Sequence, residues 1–226
     1  MPALPFQLII FDCDGVLIDS EIISARMLIA ALADRGVMID LPYVSRHFLG
    51  RSYPVVMQTI RQDFGLDLPP AFEEDYRERL LEGFRQGLKI IPHVREVLDG
   101  LAVPWCVATS SSPRRAQMSL SLVGLWPLLQ GRIFTASEVA RGKPAPDLFL
   151  HSAARMGAAP GATLVIEDSL TGIEAARAAG MTVWRFTGGS HMPGDLPQEP
   201  PAAVPHFRFA SFAAFFQIAP DLRRPE

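Results

Sequence analysis

A run of four apolar residues, Leu8-Ile9-Ile10-Phe11, ends abruptly at Asp12-Cys13-Asp14-Gly15. An unbroken apolar stretch of that length suits a strand buried on both faces, as in a parallel sheet, whereas a half-wet strand alternates. Similar runs recur at 105–109, 132–135, 163–166 and 182–186. Segments with helix punctuation separate the later ones. Ser112-Pro113 can cap and start a helix that stops near Gly124, and Pro146 can start one ending near Gly157. Ser169 can cap a third, whose alanine-rich body at 173–179 halts at Gly180. This strand–helix alternation predicts an α/β fold with a doubly wound, Rossmann-like parallel sheet.

Residues 18–88 break the alternation and read as helices only. Apolar residues recur at spacings of three and four: Ile23, Met27, Ala30 and Ala31, then Val55, Val56, Thr59 and Ile60, then Phe72, Tyr76, Leu80 and Phe84. A helical insert between the first and second strands predicts two units, an α/β core from 1–17 and 89–226 and a helical domain from 18–88. The stretch 187–206 is rich in Pro and Gly and reads as a long loop. A short strand or helix is expected around 207–218, and a frayed tail at 221–226.

Composition narrows the classes. With 226 residues and 49% hydrophobic content the chain can bury a sizeable core, and its net charge of -3 is scattered. No basic patch marks a nucleic-acid partner. Residues 6–11 are too few for a signal-peptide core or a membrane span, which needs roughly 20 apolar residues, so no membrane partner and a cytoplasmic location are expected. Two cysteines, Cys13 and Cys106, fit buried thiols in a reducing compartment. Gly189-Ser190-His191-Met192 has the look of a tag remnant, but its place deep in the chain makes it a native loop. His47, His93, His151, His191 and His206 show no metal-ligand spacing and are expected to be structural or solvent-facing. A monomer is the default.

Four segments carry chemistry. Asp12 and Asp14 follow a buried strand, where ligands bind in open α/β sheets, and residues two apart in extended chain project to one side. A carboxylate there can attack phosphorus and its neighbour can move protons, although Asp-x-Asp-Gly also makes an ordinary turn or cap. Glu167-Asp168 follows another strand; adjacent carboxylates repel unless a cation joins them, and magnesium suits such oxygen ligands, while a helix cap is the plainer reading. Thr109-Ser110-Ser111-Ser112 offers hydroxyls and N–H groups for a phosphate cradle, or simple capping. Lys143, in Gly142-Lys143-Pro144-Ala145-Pro146-Asp147, is a constrained cation suited to neutralising phosphate, or else a solvated surface lysine.

In this order the four segments, including G-K-P-x-P-D and E-D-S-x-x-G, resemble the haloacid dehalogenase (HAD) superfamily of phosphotransferases over nearly the whole chain. The resemblance implies Asp12 as nucleophile, Asp14 as general acid/base with a metal-binding carbonyl, Ser110 on the phosphate and Lys143 as charge neutraliser. It implies a magnesium site at Asp12, Asp14, Glu167 and Asp168. The insert resembles the helical cap of the β-phosphoglucomutase-like branch, which implies that Gly50, Arg51 and Ser52, with Ser111, face the substrate. Mutases of that branch carry a histidine where this chain has Ser24, which favours water as acceptor. Dehalogenases lack the second acid and need no metal, and a non-catalytic phosphate-binding module would lack the nucleophile or metal acids. The resemblance therefore implies a magnesium-dependent phosphatase that acts through an aspartyl-phosphate on a small phosphorylated metabolite. Residues 11–26 and 104–107 are most similar to 6-phosphogluconate phosphatase-type members, so a sugar or sugar-acid phosphate is expected.

Overall fold

The computed structural model describes residues 6–66, 68–192 and 198–225. Its centre is a six-stranded, wholly parallel sheet in the order β3-β2-β1-β4-β5-β6. The strands are β1 (Leu8–Phe11), β2 (Trp105–Thr109), β3 (Ile133–Thr135), β4 (Thr163–Glu167), β5 (Thr182–Phe186) and β6 (Phe207–Phe209). The four residues of β1 are fully buried because the two sheet faces divide them. Ile9 and Phe11 join one apolar layer with α5 (Val94–Gly100) and α6 (Pro113–Leu122); Leu8 and Ile10 join the other with α8 (Asp147–Arg155) and α9 (Leu170–Ala178). The unbroken apolar run is thus the consequence of helices on both sides. A short α7 (Trp126–Leu129) leads into β3, and the expected strand-or-helix return at 207–218 resolves into β6 followed by α10 (Phe215–Ile218). Residues 193–197 of the expected long loop lie outside the described residues.

Helix punctuation acts as read. Ser112 and Ser169 occupy the N-caps of α6 and α9, each hydroxyl accepting a backbone N–H from three residues on. Between β1 and β2 the chain forms α1 (Glu21–Ala33), α2 (Leu41–His47), α3 (Tyr53–Phe64) and α4 (Pro70–Gly87), packed around an apolar cluster of their own. The α4 stripe Phe72, Tyr76, Leu80 and Phe84 is buried as spaced. On α1 the fully buried line runs through Ala25, Leu28, Ala31 and Leu32, Ile23 and Met27 are partly buried against the same cluster, and Ala30 is exposed. The seven-residue α2 has too few turns for periodicity to show; Asp40 caps it through the Tyr43 N–H at 2.9 Å. Among the described residues no helix is long and apolar enough to cross a membrane.

Candidate active site

The strand order reverses beside β1, where β2 lies on one side and β4 on the other, and ligands gather at the carboxyl edge of such a switch point. Asp12 leaves β1 there and its N–H donates to the Ile166 carbonyl, which sets it level with Glu167 at the end of β4. Asp12, Glu167 and Asp168 are all buried, with one oxygen from each within 4.8 Å of the others. Lys143 arrives from the loop before α8. Its ammonium donates to Asp12 Oδ1 at 2.6 Å, Glu167 Oε1 at 2.7 Å and the Ala108 carbonyl at 3.1 Å, with the Phe149 ring 4.9 Å away.

These groups divide into committed and free oxygens. Glu167 Oε1 accepts from Lys143, and Oε2 accepts from the Asp168 N–H, the Ser169 N–H and the Ser169 hydroxyl. Lys143 and these donors hold Glu167 below the usual carboxylate range against the opposing effect of burial. Asp168 Oδ2, by contrast, is buried without a well-aligned hydrogen bond, its near polar neighbour being His191 Nε2 at 2.9 Å. Burial, with the Glu167 charge adding to it, pushes Asp168 well above the usual range. Asp12 is pushed the same way by burial, with Glu167 and Asp168 adding and Lys143 opposing. Fully ionised, the three carboxylates around one ammonium would carry two excess negative charges, which one divalent cation would balance. Hard carboxylate oxygens and a buried acceptor left unbonded suit a hard divalent cation. Two glycines make the approach possible: a Cβ on Gly15, whose φ is +81°, would lie 2.0 Å from Asp168 Oδ2, and one on Gly172 would lie 1.7 Å from Glu167 Oε1.

Asp14 points to a different set of partners. Its carboxylate accepts from Ser20 Oγ at 2.6 Å, Ser111 Oγ at 2.7 Å, Thr109 Oγ1 at 3.4 Å and Arg115 at 3.0 Å. Burial alone would raise its pKa, but Arg115 and the two serines outweigh it and hold Asp14 below the usual range. Ser110 Oγ donates to the Gly50 carbonyl at 3.0 Å, and Thr171 Oγ1 to the Leu49 carbonyl at 3.3 Å, so the 49–52 loop rests on the core beside the strand ends. A cavity of about 960 Å³ lies between the sheet edge and the helical insert, lined by Asp12, Asp14, Ser110, Ser111 and the loop Gly50, Arg51 and Ser52. The predicted residues therefore fall into one neighbourhood: Asp12, Asp14, Ser110 and Ser111 line the cavity from the core and Gly50, Arg51 and Ser52 line it from the insert, while Lys143, Glu167 and Asp168 are buried beside Asp12 and do not line it.

Arg115 and the placement of His191 escaped the sequence reading, and Glu21 was read only as part of the Asp19-Ser20-Glu21 run that resembles sugar-phosphate phosphatases. Arg115 lies on the buried side of α6 next to Ala116 and Ser119; tracing the helical face from Ser112-Pro113 would have pointed it inward. Glu21 lines the cavity, and burial pushes it up to about 8, with Asp14 and Asp168 adding. His191, expected to be structural or exposed, lies with Nε2 2.9 Å from Asp168 Oδ2. Ser190 holds that loop in place by donating its N–H and hydroxyl to Asp19 at 3.0 and 2.9 Å. Nothing in local pattern ties residue 191 to residue 168. Cys13 and Cys106 are buried free thiols, as expected.

Comparison with known proteins gives a consistent picture. The profile of the haloacid dehalogenase-like hydrolases matches residues 6–180. The chain is 26% identical over 186 residues to the 6-phosphogluconate phosphatase of Escherichia coli strain K12, covering 82% of this chain and 84% of that relative. It is 31% identical over 175 residues to the fructose-1-phosphate phosphatase of the same bacterium, covering 76% and 92%. A solved HAD family hydrolase from Deinococcus radiodurans R1, with bound phosphate and sodium, superposes with a TM-score of 0.75 at 31% identity, covering 99% of this chain and 100% of that one.

Proposed function

The chain belongs to the haloacid dehalogenase-like hydrolases and is a phosphoric monoester hydrolase, and on that premise we propose that it dephosphorylates a small sugar or sugar-acid phosphate, with magnesium, through an aspartyl-phosphate on Asp12. The observation that carries this reading is the buried charge imbalance at the switch point, where Asp12, Glu167 and Asp168 face a single Lys143. Asp12, Asp168 and the Asp14 carbonyl would hold the ion, since both Glu167 oxygens are already engaged. When bound, magnesium supplies positive charge against the phosphoryl oxygens.

Asp12 attacks phosphorus and the bond to the leaving oxygen breaks as Asp14 delivers a proton to it. Having given up that proton, Asp14 is a carboxylate stabilised by Arg115, Ser20 and Ser111, and it takes a proton from the water that attacks the acyl phosphate and releases inorganic phosphate. That proton serves the next leaving group, so the cycle closes. Lys143 offsets the Asp12 charge on approach of the phosphate, and Ser110 binds a phosphoryl oxygen. Residues 18–88 act as a cap whose 49–52 loop, with Arg51, faces the leaving fragment and excludes bulk water. Ser24 donates its hydroxyl to the Ser20 carbonyl at 2.9 Å and offers no imidazole for a mutase.

Hydrolysis of p-nitrophenyl phosphate with magnesium and with EDTA tests the reading. Turnover should require the metal, and Asp12→Asn should abolish both turnover and acid-stable incorporation of labelled phosphate while leaving the circular dichroism spectrum unchanged. Metal-independent turnover, or wild-type activity in Asp12→Asn, would overturn it.

A further inference from the structure

We propose, resting on the phosphatase reading above, that Arg115 is a specificity-determining residue that selects phosphate esters whose leaving fragment carries a carboxylate. Arg115 enters the cavity from α6 of the core, while Arg51 enters from the insert. Its guanidinium is fixed on three sides. One terminal nitrogen donates to Asp14 Oδ1 at 3.0 Å and to Ser24 Oγ of α1 at 3.1 Å, and the plane lies over the Phe84 ring of α4, 5.5 Å from its centre. The Nε of the same group is buried and has no acceptor among the described residues, while a quarter of the side chain remains exposed. It is the exposed part of this side chain that a ligand oxygen can reach.

The position defines what that oxygen belongs to. In-line attack by Asp12 puts the leaving oxygen on the far side of phosphorus, towards Asp14, and Arg115 is the next group beyond Asp14. It therefore meets the leaving fragment and not the phosphoryl group. A rigid planar guanidinium matches a carboxylate better than a hydroxyl, and only one of its two terminal nitrogens is bonded to the described residues, which leaves the other free to donate to a ligand oxygen.

The test compares two esters that differ at one carbon, 6-phosphogluconate and sorbitol 6-phosphate, with p-nitrophenyl phosphate as a reference for phosphoryl transfer. Wild-type kcat/KM should favour the acid over the polyol by about 30-fold or more, the scale of a charge-assisted bidentate contact. Arg115→Met should collapse that ratio to within about threefold, mainly through KM of the acid, and Arg115→Lys, which keeps the charge but not the plane, should give an intermediate ratio. A wild-type enzyme indifferent to the carboxylate would overturn the assignment. So would Arg115→Met losing both sugar esters alike, because Arg115 would then act only by positioning Asp14. If wild type with magnesium turns over p-nitrophenyl phosphate but the ratio is unity, only the specificity assignment fails; if it turns over none of the three esters, the phosphatase reading fails with it.

Discussion

Replacing Asp168 by Asn should stabilise the metal-free protein while destroying its ability to use magnesium. The substitution keeps shape and removes one charge from the cluster of Asp12, Glu167 and Asp168, whose oxygens lie within 4.8 Å of one another. At that separation and an effective dielectric constant of about 20, each like-charge pair costs roughly 3.5 kcal/mol. Asn removes two such repulsions and loses one attraction of similar size to Lys143, a net relief of about 3 kcal/mol. Proton uptake by Asp168 limits the penalty it can impose to about 5 kcal/mol at pH 7.5, so the figure is within bounds.

For a chain of this length, about 2–4 °C per kcal/mol converts the relief to a melting point roughly 6–12 °C above wild type in EDTA. The sign with pH follows from the raised pKa of Asp168. The folded protein binds more protons than the unfolded chain above the ordinary carboxylate pKa, so stability falls as pH rises from about 4. Wild type in EDTA should therefore gain melting temperature between pH 7.5 and pH 5.5, and Asp168→Asn should gain less. Adding 5 mM magnesium should raise the wild-type melting point and leave the variant nearly unmoved. An Asp168→Asn protein melting at or below wild type in EDTA would refute the charge-imbalance argument.

Lys143→Met should do the reverse, because it removes the one cation bonded to Asp12 and Glu167 among the described residues. Breaking a buried pair costs about 3–5 kcal/mol, so the EDTA melting point should drop by roughly 6 °C or more and kcat by at least about a thousandfold, with magnesium restoring part of the stability but little of the rate. Gly15→Ala places a Cβ 2.0 Å from Asp168 Oδ2 at φ +81°. Magnesium affinity, read by titration calorimetry, should fall at least about tenfold, and unchanged affinity would mean that Asp168 is not a ligand.

The floor of the site was readable because each of its residues sits at a strand end or in a turn that local chemistry already marks. Asp12 and Glu167-Asp168 stop apolar runs, Ser112 and Ser169 open helices, and Gly172 follows Ser169 within one helical turn because Glu167 needs the space a side chain would fill. Arg115, Glu21 and His191 were not readable in the same way. The face of α6 turns Arg115 inward and Arg114 outward, but what Arg115 meets there depends on the insert, since it contacts Ser24 and Phe84 across 91 and 31 residues of chain. His191 reaches Asp168 only because Ser190 ties its loop to Asp19, 171 residues away.

By itself, the order of residues determined the parallel sheet, the helical insert and the four chemical segments, since burial on both strand faces and helix capping depend on near neighbours. Only the tertiary structure decided which oxygens stay free and which are already bonded. Glu167 is spent on Lys143 and its own backbone, Asp168 keeps an oxygen without a well-aligned hydrogen bond, and Asp14 is drawn to Arg115. The reason is that hydrogen-bond partnership and charge balance are set by distances of about 3 Å between groups far apart in the chain, and no local pattern encodes those distances.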